Sequence, residues 1–306
     1  MTSVSVRVPA KINLCLGVGP VRDDGYHPLA TVYQAVDLHD ELRATAVDDD
    51  RVTVRTVVDV DDAEAEATLV PTGDDNIAVR AALALREHAG TDAGVDLSIR
   101  KVIPVAGGMA GGSADAAAAL VACNELWGLG YSRHELEPVA ASLGSDVPFL
   151  LHGGNAVGGG RGETVSPVLA RGSYQWVFAV AAEGLSTAAV YAEFDRLNAD
   201  REVPEPQVPD ALLAALRSGD AHALGAALSN DLTEASLSLR PELGGVLDVG
   251  REAEALGSII SGSGPTCLFL AADEQHALDI AIALAGSGAC ADVVQSTGPV
   301  PGVRFL

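Results

Sequence analysis

The sequence predicts an α+β protein of two domains. Its 306 residues suit two domains of ordinary size. Strand patterns dominate before the first clear helix, and from Val180 to Val300 short apolar strands alternate with alanine-rich helices. Between these regions lies a second glycine cluster, Gly153-Gly154 and Gly158-Gly159-Gly160-Arg161-Gly162, which reads as hairpin turns at a domain junction near residue 162.

The elements follow in order. Ser3 to Val8 alternates as a strand, and Pro9-Ala10-Lys11-Ile12-Asn13-Leu14 leads into an apolar run to Val18. Arg22-Asp23-Asp24-Gly25 is a turn before Tyr26-His27-Pro28. Ala30 to Val36, Glu41 to Val47 and Arg51 to Val58 read as strands, with an acidic turn at Asp48 to Asp50. Asp59 to Glu66 is rich in carboxylates and reads as a solvated loop, with a cation site as the alternative. Asn76 caps a helix from Ile77 to His88 that Gly90 ends. Val95 to Ile99 is a strand that delivers Arg100 and Lys101 to the chain's main glycine loop.

That loop runs Pro104-Val105-Ala106-Gly107-Gly108-Met109-Ala110-Gly111-Gly112-Ser113-Ala114. Its glycines permit positive φ and close approach of a ligand to the backbone. Ser113 is placed to cap a helix from Ala114 to Cys123. A glycine loop opening onto a helix N-terminus presents free amides and the positive end of the dipole, which suits a phosphate. It lacks the Lys-Ser or Lys-Thr pair of a P-loop and the G-x-G-x-x-G frame of a dinucleotide fold. Further on, Ser132 and Glu135 form a capping box for a helix to Leu143, closed by Gly144-Ser145-Asp146-Val147-Pro148-Phe149. Gln175 to Ala181 is a strand, Pro204 to Pro209 a loop, and Ser261 to Thr266 sits between a helix and the strand Cys267 to Leu270.

Composition narrows the function. Net charge is −23, which repels nucleic acid and anionic membrane. A phosphate site must therefore be inverted locally by amides, arginine, lysine or a metal. Lys11 and Lys101 are the only lysines, and both sit beside candidate motifs. The four cysteines lack C-x-x-C spacing and read as reduced core residues. No signal peptide and no membrane-length apolar run is evident, so a cytoplasmic protein is expected.

Lys11 follows a strand in an apolar segment. It can neutralise charge on a transferring phosphoryl group or snorkel from a strand edge. Asp146 can accept a proton from an attacking hydroxyl or serve as a turn or cap residue. Ser113 can cap its helix or ligate Mg²⁺, and Asp115 can face that ion or complement the helix dipole. Tyr26 and His27 can stack on and hydrogen-bond to a base, or pack after a turn. Ser261 to Thr266 is a second anion nest or a tight turn.

Together these segments resemble the GHMP kinase superfamily, whose three motifs have counterparts in order at 9–14, at the glycine loop and at Ser261-Gly262-Ser263-Gly264. Ala10 to Leu14, Asp24 to His27 and Leu143 to Phe149 resemble the branch that phosphorylates the 2-hydroxyl of a cytidine-diphosphate derivative of methylerythritol in the non-mevalonate isoprenoid pathway. The resemblance implies domains at 1–162 and 163–306, an active site in the cleft between them, and ATP and Mg²⁺ as cofactors. It implies Lys11 and Asp146 as the catalytic pair and the ATP phosphates along 104–114. It further implies adenosine contacts at Asn76 and Lys101, acceptor contacts at Asn13, cytosine stacking at Tyr26 and Tyr191, and edge recognition by His27. Ala106 replaces a glycine frequent in the family loop, and Pro28 holds His27 extended. The alternatives are another kinase of the superfamily, acting on homoserine or mevalonate, and a non-catalytic nucleotide-binding module.

Overall fold

The computed structural model describes residues 2–59, 70–105 and 107–306. Residues 60–66 of the expected acidic loop and Ala106 of the glycine loop lie outside the described residues.

The chain opens on two long strands, β1 (Ser3–Val18) and β2 (Leu29–Val47), which pair antiparallel along their length. Each joins segments that the sequence divides in two. Pro9 is tolerated inside β1 because the ladder shifts register between Pro9 and Ala10, where a missing donor breaks no regular bond. Next come β3 (Val52–Val58), α1 (Ile77–Ala89), β4 (Gly94–Lys101), α2 (Gly111–Leu126), α3 (Arg133–Leu143) and α4 (Val147–His152). A hairpin of β5 (Asn155–Gly159) and β6 (Thr164–Pro167) follows. Then come β7 (Tyr174–Val180), α5 (Thr187–Leu197), α6 (Asp210–Ser218), α7 (Ala221–Ala227), β8 (Ser229–Asn230), α8 (Thr233–Leu239) and α9 (Glu242–Glu252). The chain closes with β9 (Gly257–Ile260), β10 (Cys267–Ala271), α10 (Glu274–Ser287), β11 (Asp292–Gly298) and β12 (Arg304–Phe305).

The first sheet runs β12-β1-β2-β4-β3, with β5 on the early half of β2 and β8 on β1. Residue 162 falls in the turn between β5 and β6, so the strands on either side of it belong to this sheet. β8 and β12 return to it from the C-terminal half. α2 is alanine-rich, apolar on every side and almost wholly buried, as an all-round apolar helix must be.

The second sheet runs β11-β7-β10-β9, all antiparallel. Its central strands read as unbroken apolar runs because both faces are buried. Trp176, Phe178, Leu268 and Leu270 point into the core shared with the first sheet. Val177, Ala179, Cys267 and Phe269 point into a second core beneath α9 and α10. The polar atoms at the junction are paired: Trp176 Nε1 donates to Gln34 Oε1 at 2.8 Å, and Gln34 Nε2 donates to Asn155 Oδ1 at 2.8 Å. The two halves thus share one core.

Gly250 of α9 sits on the Phe269 ring so closely that a Cβ would overlap it. Gly250→Ala is expected to lower unfolding free energy by about 1–3 kcal/mol through overpacking. Urea denaturation should show the loss, while ATP affinity stays within twofold of wild type.

Candidate active site

The glycine loop is held from two sides. Lys11 N donates to Met109 O at 3.2 Å, which ties the loop to β1. Ser261 Oγ donates to Gly108 O at 3.1 Å, which ties it to the second sheet. Gly108 has φ +76, and a Cβ there would run into Ser261 O, so only glycine fits. The Ser261–Thr266 stretch that makes this contact is a hairpin loop between β9 and β10, not the helix-to-strand junction read from the sequence. The apolar run Gly257–Ile260 before it pairs with β10, and that pairing settles it as strand.

Ser113 is not the helix cap. α2 begins at Gly111, and the N-cap is Ala110, in the left-handed region at φ +60 with no side-chain capping bond. Starting the helix two residues before Ser113 places that residue in the first turn, where its hydroxyl lines the cavity. The Gly111, Gly112 and Ser113 amides, at the start of the helix, have no intrahelical acceptors.

Lys11 and Asn13 lie two apart on β1 and share a face. Lys11 is nearly buried; its Nζ donates to Asn13 Oδ1 at 2.8 Å and stands 3.4 Å from Asp146 Oδ2. Asn13 Nδ2 donates to Thr31 Oγ1 at 2.7 Å, and Thr31 Oγ1 donates to Cys15 O at 2.7 Å, so the amide is locked. Asp146 precedes α4 but makes no capping bond, which leaves its carboxylate to Lys11 and the cavity. Tyr33 sits directly across from Asn13 in the β1–β2 register, under the Lys11 ammonium at 5.6 Å. Burial pushes its phenol well above the ordinary range, and the charge of Asp146 and a hydrogen bond to it push it further. Tyr33 therefore stays protonated near the Asp146 carboxylate, and its hydroxyl donates to Gly162 O at 3.5 Å.

This constellation lines a cavity of about 570 Å³. Pro104, Gly107, Gly108, Ala110, Gly111, Gly112 and Ser113 form one wall, and Gly262, Ser263 and Gly264 close another. Val105, Met109 and Ala114 lie off it, the last two with buried side chains. A second cavity of about 780 Å³ adjoins it through Leu29, Ser145, Arg161, Thr187 and Tyr191. Tyr26, His27 and Tyr191 line this second space. Tyr26 is presented by the β1–β2 turn, where Asp24 Oδ1 accepts its amide at 3.0 Å. Arg161 stands 4.7 Å over the Tyr26 ring and borders both cavities. Burial, then the Asp146 charge, pushes the Tyr191 phenol up to about 12.

The two residues expected at the adenosine, Asn76 and Lys101, are both buried and partnered within the chain. Asn76 is buried as the cap of α1: its Oδ1 accepts Ala78 N at 2.9 Å and its Nδ2 donates to Pro71 O at 2.8 Å. Lys101 is buried beneath the first turn of α2, with Nζ 2.6 Å from Asp40 Oδ2 and 2.8 Å from Asp115 Oδ2. Asp40 Oδ1 also accepts the amides of Val102 and Ile103 at 2.6 and 2.8 Å. This cluster anchors the loop where it leaves β4 and where it enters α2. Asp115 accordingly faces Lys101 and lies away from the cavity, which removes it as a cation ligand there. Burial alone would pull the Lys101 ammonium down, but the two carboxylates together hold it above its ordinary range. Burial raises Asp115 to about 7 against the pull of Lys101, and its Oδ1 has no hydrogen-bond partner.

Among the described residues, no group of three or more His, Cys, Asp or Glu is placed to hold a metal, and no helix is long and apolar enough to cross a membrane.

Comparison with known proteins gives these features a family. Residues 76–154 match the GHMP kinases N terminal domain, and 212–290 match the GHMP kinases C terminal domain. A 4-diphosphocytidyl-2-C-methyl-D-erythritol kinase of Thermobifida fusca is 55% identical over 306 residues, covering 100% of this chain and 99% of the relative. A crystal structure of 4-(cytidine 5'-diphospho)-2C-methyl-D-erythritol kinase superposes with a TM-score of 0.75 at 31% identity, covering 96% of this chain and 98% of that one. Homoserine kinase from Cytophaga hutchinsonii shares the fold, with a TM-score of 0.77 at 19% identity over 100% of this chain and 98% of that one. The chain belongs to the GHMP kinase family, and its chemistry is that of a small-molecule kinase using ATP.

The raised Asp115 carboxyl makes a pH prediction. Folded, it keeps its proton up to about pH 7; unfolded, it releases it near 3.8. Between these values the folded state binds the extra proton, so this group's contribution to stability falls as pH rises, by at most about 1.4 kcal/mol per unit. Wild-type stability measured against Asp115→Asn should decline from pH 4 to 7 and level off above; a flat difference would refute the assignment.

Proposed function

We propose that the chain transfers the γ-phosphoryl group of ATP to the 2-hydroxyl of 4-diphosphocytidyl-2-C-methyl-D-erythritol, yielding the 2-phosphate and ADP in the cytoplasmic supply of isoprenoid precursors. The observation that carries this reading is the pair of adjoining cavities, one walled by amides and one by aromatic rings, with Lys11 and Asp146 at the first and Tyr191 and Arg161 between them. A phosphate donor suits the amide wall. A flat base on a charged tail suits the space between Tyr26 and Tyr191. Homoserine and mevalonate carry no ring, and a site for either would have no use for the second cavity.

In this reading the acceptor hydroxyl lies against Asp146, which takes its proton as the oxygen bonds to the γ-phosphorus and the bond to the ADP oxygen breaks. Lys11 pairs with the Asp146 carboxylate at 3.4 Å and screens charge on the transferring group. Asn13 fixes the Lys11 ammonium, and the protonated Tyr33 phenol stands beside the Asp146 carboxylate. Arg161 faces the acceptor diphosphate, the strongest cationic group bordering both spaces. The Ser113 hydroxyl would hold Mg²⁺ beside the ATP phosphates, since this ion is commonly held by few protein ligands. When bound it neutralises part of the phosphate charge.

ADP release should occur with the cytidyl acceptor and not with homoserine or mevalonate. Lys11→Ala and Asp146→Asn should each lose about 3–4 kcal/mol of transition-state stabilisation, roughly 100- to 1000-fold in kcat. Activity within a few-fold of wild type in either variant would remove that residue from the chemistry. Tyr26→Ala and Arg161→Ala should raise the acceptor KM by about tenfold, the effect of losing about 1.4 kcal/mol, with the ATP KM unchanged.

A further inference from the structure

One helix shapes the base-reading end of the second cavity. Tyr191, Phe194 and Asp195 fall at i, i+3 and i+4 on α5 and so share a face. All three meet His27. The Tyr191 ring is centred 5.0 Å from the imidazole, and the Phe194 ring stands edge-on at 6.0 Å. Asp195 Oδ1 lies 2.8 Å from His27 Nε2. His27 is the only polar partner of Asp195 among the described residues.

A carboxylate only accepts hydrogen bonds, so Nε2 carries the proton that Asp195 receives. In a neutral imidazole the other nitrogen is then a bare acceptor. Among the described residues His27 Nδ1 makes no hydrogen bond, and His27 lines the second cavity.

We propose that Asp195 is a positioning residue that fixes the His27 tautomer and thereby makes the site select cytosine over uracil. The inference rests on the cytidyl-acceptor reading of this cavity. The two bases differ at position 4, where cytosine carries an amine that donates and uracil a carbonyl that accepts. An acceptor Nδ1 pairs with the amine. Facing the carbonyl, it sets two lone pairs against each other, and a buried mismatch of this kind discriminates strongly. Without Asp195, the proton can move to Nδ1 and the distinction inverts or fades.

The test compares wild type with Asp195→Ala, using the cytidyl acceptor and its uridyl counterpart. Asp195 is half-exposed on a helix surface, and alanine is the better helix former, so the variant should fold. In wild type, ¹⁵N NMR should show His27 protonated at Nε2, and the cytidyl acceptor should be favoured. In Asp195→Ala the cytidyl KM should rise about tenfold, the ATP KM should hold, the preference should fall toward parity, and the His27 signal should become a tautomer mixture. Asp195→Glu should restore part of the preference. A variant that keeps both the preference and the Nε2 proton overturns the role of Asp195 while leaving the acceptor reading intact. Parallel losses for both acceptors and ATP also overturn it, as the mark of a merely structural residue. A wild type that accepts the uridyl compound equally well overturns the cytosine reading and the proposal with it.

Discussion

Two polyanions, ATP and a diphosphate-bearing acceptor, have to meet inside a protein of net charge −23, and that constraint organises the cleft. Bulk charge repels both, so attraction must be short-ranged and placed. The amides at the start of α2 supply part of it without adding a formal charge. Lys11 and Arg161 place positive charge at two further points, one beside Asp146 and one between the cavities. Screening by salt confines the repulsion of the acidic surface to about 8–10 Å, so these local groups set the potential that a bound phosphate feels.

The two lysines answer the constraint in opposite ways. Lys11 faces the cavity, paired with one carboxylate and an amide oxygen, and remains available to a ligand. Lys101 is enclosed between two carboxylates beneath the loop and is available to none. A buried ion cluster of this sort contributes little net stability but is costly to break, because removing one member leaves a charge unpaired. Its value lies in geometry: Asp40 grips the amides of Val102 and Ile103 while Lys101 and Asp115 hold the start of α2, so the loop between them is clamped at both ends.

Much of this was legible in the sequence, and the failures share a cause. The glycine loop, the α1 cap at Asn76, the capping box of α3 and the strand-to-loop delivery of Lys101 are local patterns, and local patterns were read well. Lys11 and Asp146 stand 135 positions apart in sequence and 3.4 Å apart in space; the family resemblance, not periodicity, joined them. Ser113 was misplaced because glycine is a poor helix former, which hid a start at Gly111. Nothing local reveals that Lys101 and Asn76 are buried against Asp40 and Pro71. Tyr33 and Arg161 went unnoticed for the complementary reason. Each sits in an ordinary setting, a strand and a glycine turn, and only the β1–β2 register and the β5–β6 hairpin bring them to the cleft.

The site draws on both halves of the chain, and the packing explains how they stay in register. The second sheet is buried on both faces, with Trp176, Phe178, Leu268 and Leu270 set into the core of the first. Its hairpin loop then reaches Gly108 through Ser261, while Ser263 Oγ meets Thr187 Oγ1 at 2.9 Å at the start of α5. One short loop therefore touches both the glycine loop and the helix that carries Tyr191 and Asp195. A close-packed core deforms little, so displacement at this loop would shift the two cavities together. The amide-walled and aromatic-lined cavities are thus joined through the Ser261 contact at Gly108 and the Ser263 contact at Thr187.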